Sequence, residues 1–536
     1  MRNLRLATFL PAITCMLITI AFTLVNKEFF ISATAEMNNA IIDNLSWLFN
    51  LAAVCMVGAV IYAYISPLGK VVIGGKGAKR VYTPFKWFAV SLTSVIAMGI
   101  LFWAVAEPIV HYYNPPAYTG IEAKTAQATQ FAMSTIFVHW TITPYAIYTV
   151  ASLVFALALH NLKMKFSIGS MFRPIFGKYM DGTLADVIDG LALFAVVMGM
   201  SATLTSGLLI INDGANSVLG IEKSPTTYGI IALIIIGSAL FSATTGLHKG
   251  IQILSRINTW IYFAAIAFFF TLGPTSYILS LGVETFGIYL SNWFSMNMVT
   301  GAAGESQWPG WWTVAFFASW FAWAPLTSLF LGKIAKGYTV RQFIIVNVTL
   351  PCVFAFFWFS TFSGSSLYID KLINGGLYQA YQTTGFASVI YVLFEQYPLA
   401  SITSTIFIFA CFITFITAAD SNTDAIGSLC IKDSSSERMS SPLWIKAVWG
   451  LSIAFIAWIS ASYIGVDAIK MLFNLAGLPG MLICIGALFS LIRLINIVRI
   501  SANEEPVLDH TNYTEPDLSF FKSQTQTQQN TKTTVN

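Results

Sequence analysis

Charge is what this chain has least of. Of its 536 residues only 10% are Asp, Glu, Lys or Arg, whereas 56% are hydrophobic. Soluble globular domains carry about a quarter charged residues, so that class is excluded and a chain that crosses a bilayer repeatedly is implied. Histidine is scarce as well: His111, His139, His160, His248 and His510 include no HExxH pair, and no Cys/His cluster has metal-site spacing. A membrane-embedded metalloenzyme therefore lacks its ligands. No GxxxxGK(S/T) loop is present to cradle phosphates, which disfavours a nucleotide-driven pump. The six cysteines stand singly in apolar segments without CxxC spacing and are expected to be buried small hydrophobes. No cofactor and no nucleic-acid partner is expected.

What is present is a series of apolar runs of spanning length, near 5–25, 47–67, 86–112, 133–160, 184–212, 227–246, 257–282, 308–333, 342–366, 400–430, 442–463 and 468–494. Arg2 and Arg5 before the first run imitate a signal peptide. The run is longer than an h-region of about 7–15 residues, however, so it reads as an uncleaved first helix. Lys and Arg test the count. With both termini on the cytoplasmic side, Lys27, Lys124, Lys223, Lys371 and Lys470 fall outside, and the other 23 of 28 basic residues lie inside. A missed or invented span would reverse that bias in every later loop. The sequence thus predicts an all-α polytopic membrane protein with twelve transmembrane helices.

Helices 3–7 and 8–12 form two five-helix blocks, and an odd number of spans per block forces the second to lie inverted. Inverted repeats with interrupted helices are a common plan of secondary transporters. The expected divisions are 1–84 with two peripheral helices, 85–283 as the first repeat, 284–306 as an interfacial amphipathic helix, 307–495 as the second repeat, and 496–536 as a disordered polar tail on the cytoplasmic side.

The stretch Trp308–Lys333 draws attention because it is loaded with Trp and Phe and carries Pro325 in mid-helix. A proline there removes an amide donor and kinks or breaks the helix, tolerable in lipid only where the freed groups face protein or a cavity. Trp140, Tyr145 and Tyr148 sit five and three residues apart around Pro144, and with Trp320 and Trp323 they can build an aromatic cage. Ring faces suit a methylated ammonium group, which has a full charge and no N–H to donate, and each attracts it by about 0.5–2 kcal/mol when desolvated. The bland alternative is that membrane helices are rich in aromatics anyway.

Five motifs sharpen the choice: Phe102-Trp103-Ala-Val-Ala-Glu107-Pro108; His139-Trp140 with Pro144-Tyr145-Ala-Ile-Tyr148; Gly246-Leu-His-Lys249-Gly250; Trp308-Pro-Gly-Trp-Trp with Trp320-Phe-Ala-Trp323-Ala-Pro325; and Ala418-Ala-Asp420-Ser421. Together, over about residues 10–495, the chain resembles the betaine/carnitine/choline transporter family. The resemblance implies a LeuT-like inverted-repeat fold, with the aromatic box on Trp140, Tyr145, Tyr148 and Trp320 and with Trp323 lining the inner half of the pathway. Tyr145 stands where many members carry Trp, and so does Ser319. It also implies a quaternary-ammonium substrate, a homotrimer formed partly through the segment between helices 7 and 8, and a bacterial inner-membrane location.

The departures concern energy coupling. Sodium-coupled members have a Gly-x-Gly-x-Gly stretch where this chain has Val95-Ile-Ala-Met-Gly99, and a Thr-Ser pair where it has Thr417-Ala418. Their second sodium site uses two Thr, matched here by Val196 and Met200. The arginine of sodium-independent exchangers is matched by Asn258, and the aspartate of proton-coupled choline carriers by Gly99. The reading adopted is cation-coupled symport with one weak sodium site at Thr93, the Ile96 carbonyl and Thr417; substrate exchange is the alternative. Glu107, His139, Asp189 and Asp420 are the ionisable residues expected inside the bilayer. Asp189 reads as a solvated or capping residue, and Glu107 and His139 as structural groups ahead of a proton role.

Overall fold

The computed structural model describes residues 4–96, 99–245, 248–431, 441–500, 506–510 and 513–516. Among them the secondary structure is helical, with only two isolated bridges, Leu4 to Ile431 and Val72 to Thr339. A helix closes every backbone hydrogen bond within its own segment, which is what a lipid environment demands. In chain order the main helices are α1 (Leu6–Val25), α2 (Lys27–Ile65), α3 (Pro84–Ile96), α4 (Gly99–Tyr113), α5 (Ala126–Trp140), α6 (Ile142–His160), α7 (Thr183–Leu219) and α8 (Pro225–Thr245). They continue with α9 (His248–Leu272), α10 (Thr275–Ser291), α11 (Ala315–Ile334), α12 (Leu350–Leu372), α13 (Ala400–Leu429), α14 (Leu443–Tyr463) and α15 (Val466–Ile500).

Nine helical segments among the described residues are long and apolar enough to span a membrane, or ten if a bent pair counts as one span. Two expected spans fall short for separate reasons. The first is described as the apolar stretch Leu6–Phe22, and the third is divided at residues 97–98, which lie outside the described residues. At the centre, α11 packs on α15 and α6, and α7 packs on α15 and α14. Gly477 and Gly480 bring α15 against the α11 backbone: a Cβ at Gly477 would stand 2.6 Å from Ala318, and one at Gly480 would collide with the Phe321 carbonyl. Small residues at such crossings let two backbones approach closely. Outward-facing Leu233, Phe241, Trp260 and Phe263 on α8 and α9 are exposed, as expected of lipid-facing positions.

Several expectations are corrected. Helix α11 runs through Pro325 without interruption, and the irregular turn lies earlier, as a π-helical turn over Gly310–Val314. Such turns concentrate at functional sites. The helix expected over 257–282 ends at Leu272, because Gly273-Pro274 turns the chain by 105° into α10. The lateral helix therefore begins at Thr275 rather than 284, and it packs along α5 and α12. The tail is partly placed: α15 continues to Ile500, Leu508 is buried, and Glu515 pairs with Arg173 at 2.6 Å. Asp189 is fully buried, held by Arg5 Nη1 at 2.6 Å, the Ser167 hydroxyl at 2.7 Å and the Gly169 amide at 3.0 Å. Arg5 thus clasps α1 to α7. Cys15 and Cys55 are exposed rather than buried, since they lie on outward faces of the peripheral helices α1 and α2.

Candidate functional site

The site is built on a broken helix. The segment 126–160 divides at Thr141, whose φ of −120° and ψ of −117° fit neither helix nor strand. Pro144 then falls in the first turn of α6, where a missing N–H costs nothing because those amides have no intrahelical acceptor. The break has a second effect: carbonyls at the end of α5 lose their helical donors. One of them, on His139, accepts the Trp320 indole Nε1 at 3.1 Å. A local interruption in one span thereby fixes a ring on another.

Trp320 is the hub of the aromatic group. Its ring centroid lies 4.6 Å from Tyr148, 5.2 Å from Tyr145 and 5.9 Å from Trp140, at interplanar angles of 57°, 70° and 73°. Phe316 and Phe359 back Trp140 at 5.3 and 5.2 Å. All four cage residues are at most 6% exposed, so their π faces are shielded from water, where cation–π attraction is strongest. The rings touch one another in edge and tilted contacts. Tyr145 Oη, buried at this centre, has no hydrogen-bond partner among the described residues. Trp323 is half-buried beside Gly199 of α7 and makes no described ring contact with the four.

Behind the cage lies a polar unit that sequence reading did not assemble. Glu107 of α4 is fully buried, with Oε1 at 2.6 Å from His139 Nδ1 and 3.5 Å from His111 Nε2. Its Oε2 accepts the Trp140 indole at 3.2 Å. The pairing of Glu107 with Trp140 joins residues 33 positions apart, beyond the reach of any local periodicity; only the His139-Trp140 adjacency hinted at it. On the other side of Trp312 is a cavity of about 500 Å³ lined by Val110, Asn114, Trp311, Trp312, Tyr378, Tyr381, Gln382, Asp467 and Lys470. Lys470 Nζ sits 3.5 Å from the Trp312 ring centroid.

The proposed sodium ligands are less defined. The side chains of Thr93 and Ile96 lie outside the described residues. Thr417 Oγ1 donates within its own helix, to the carbonyl of Ile413 at 2.8 Å or that of Thr414 at 3.0 Å. Asn258 reaches the neighbouring turn, donating to Thr414 Oγ1 at 2.6 Å. Val196 and Met200 are buried apolar residues of α7 and offer no side-chain oxygen.

The family model described as betaine/carnitine/choline family transporter matches residues 7–497. The chain belongs to the betaine/carnitine/choline transporter family. It is 30% identical over 472 residues to a probable glycine betaine transporter of Desulfitobacterium hafniense, covering 88% of this chain and 91% of that one. It is 29% identical to an ectoine/hydroxyectoine transporter of Virgibacillus pantothenticus, covering 90% and 94%. A high-affinity choline transport protein of Escherichia coli is 28% identical over 81% of this chain and 63% of its own. A solved Na+-coupled sialic acid symporter has 13% identity and a TM-score of 0.41 over 79% of this chain and 92% of its own, too distant to carry an argument. As a member of this family the chain is a multi-pass membrane transport protein, and its relatives are transporters rather than enzymes.

Proposed function

We propose that the protein is a secondary transporter that carries a quaternary-ammonium compound across a bacterial inner membrane by alternating access. The observation that carries this reading is the meeting of Trp140, Tyr145 and Tyr148 with the ring of Trp320 beside a helix break. Transport is driven by a co-transported cation. The chain crosses the bilayer twelve times with both termini in the cytoplasm, and two inverted five-helix units rock about the cage. The Thr93, Ile96 and Thr417 region is the place for sodium, although Val196 and Met200 remove oxygens that a second ion would need. Substrate exchange without a driving ion is the alternative that this loss favours. The protein assembles as a trimer, for which the exposed Leu279, Val283 and Leu290 of α10 offer an apolar surface.

The decisive experiment is reconstitution into proteoliposomes with labelled glycine betaine, choline, carnitine, γ-butyrobetaine and ectoine in turn. Uptake of an onium compound under a sodium or proton gradient supports symport, and uptake only into vesicles preloaded with substrate supports exchange. Uptake of ectoine alone would remove the methylated-onium reading.

A further inference from the structure

A fully buried carboxylate among apolar helices is expensive, and such groups tend to carry function in membrane proteins. Glu107 is more than buried: two walls of the cage hang on it and its partner. It accepts the Trp140 indole directly, and the His139 carbonyl accepts the indole of Trp320. One turn further along α4 lies His111, with its ring 4.4 Å from that of Trp312. Trp312 in turn lies under Lys470 in the cavity, which Val110 of α4 and the following Asn114 also line. An unbroken series of side chains therefore links the cavity to the cage.

We propose that Glu107 and His139 hold a co-transported proton, making this an onium/H+ symporter; the inference rests on the onium reading and sets the proton in the place of sodium as its coupling ion. A proton from the cavity passes by His111 to Glu107 Oε1, forming one O–H bond. The neutral acid donates that hydrogen to Nδ1 of a neutral His139, whose Nε2–H donates to Thr313 Oγ1 at 3.2 Å. A neutral carboxyl is a weaker acceptor than a carboxylate, so the Trp140 indole is loosened and free to turn its face to the onium. On the inner side the proton leaves to water, the carboxylate re-forms its bond to Trp140, and one proton and one substrate have crossed.

The other titratable groups on and around α4 are engaged elsewhere or stand apart. Tyr112 donates to the Lys124 carbonyl, and Tyr113 stacks on Tyr378 of the short helix that also bears Tyr381. From α12, Asp370 accepts the amides of Leu377 and Tyr378, and Lys371 donates to Thr129. Tyr391 donates to the Ile210 carbonyl, Glu395 ends the same helix, and Asp213 of α7 pairs with Lys223. From α15, Lys470 faces the cluster across Trp312 with Asp467 beside it.

The test uses the full chain in sodium-free proteoliposomes with pyranine inside and the membrane potential clamped. Counterflow of labelled glycine betaine or choline without gradients first establishes onium transport. The inference then expects added substrate to acidify the lumen, and an acid-outside gradient of about one pH unit to drive up to about tenfold accumulation. Glu107→Gln is expected to abolish both, Glu107→Asp to restore acidification in part, and His139→Gln to reduce it independently. Counterflow without acidification, or acidification by Glu107→Gln equal to that of the native chain, would overturn the proton inference and leave the cage standing. Absence of counterflow with both probes, and with labelled carnitine and γ-butyrobetaine in their place, would overturn the cage reading and the inference with it.

Discussion

Replacing Trp320 is the sharpest probe of the cage, provided that the loss of a ring face is separated from the loss of packing. Trp320→Leu removes the ring that touches Tyr145, Tyr148 and Trp140, and it also strands the His139 carbonyl. An unsatisfied buried acceptor alone costs about 1–3 kcal/mol of stability, so a fall in activity would prove little. Trp320→Phe strands the same carbonyl and leaves a similar void, yet it keeps a π face. The difference between the two variants therefore isolates the cation–π contribution, about 0.5–2 kcal/mol, or roughly a 2- to 30-fold difference in Kd. The assay is equilibrium binding of labelled choline to detergent-purified protein, competed by choline and by 3,3-dimethylbutanol, in which carbon replaces the charged nitrogen. Choline should lose affinity from Phe to Leu, whereas the neutral isostere should bind both variants within about twofold. Parallel losses for the charged and neutral ligands would refute the assignment, because they would mean that Trp320 supplies shape rather than charge recognition.

Other predictions follow from the packing. Arg5→Ala leaves the Asp189 carboxylate buried without its cation, which should cost about 3–5 kcal/mol; a lower melting temperature in detergent, largely recovered by adding Asp189→Asn, is the expected result. Gly480→Ala forces a methyl into the Phe321 carbonyl and should destabilise by about 1–3 kcal/mol, read as loss of the monodisperse peak on size exclusion, whereas Gly237→Ala, with open space at its Cβ, should leave the peak intact. Tyr145→Phe removes a hydroxyl that has no partner among the described residues, so the melting temperature should stay within about 0.5 kcal/mol of equivalent stability; any change in the preference among betaine, carnitine and choline then reports contact with substrate.

Composition and the Lys/Arg asymmetry made the membrane class legible, since both follow from transfer energies that each residue carries wherever it sits. The cage was legible in part because Trp140, Tyr145 and Tyr148 are close in sequence. That Trp320 would meet them, and Trp323 not, depends on the rotation of α11, which no local pattern sets. Pro325 misled because a proline marks a missing donor without saying whether the helix tolerates it. Here the helix does, and the break falls at Thr141, just before a proline placed to begin a new helix. Glu107 was visible as an odd charge, but its partners His139 and Trp140 lie on a different helix, so its place beside the aromatic group belongs to tertiary packing. Asp189 looked solvated because its partner Arg5 stands about a third of the chain away in sequence.

The right-angled turn at Gly273-Pro274 has a mechanical corollary. Helix α10 leaves α9 at 105° and packs against α5, the span that ends at the cage, and against α12. A strut laid across two uprights resists their sliding past each other. Any rocking that opens the pocket must carry α10 along or flex the elbow. Stiffening that corner, where Tyr397 rather than a cage ring stands beside Gly273, should therefore slow turnover while leaving the grip on substrate untouched.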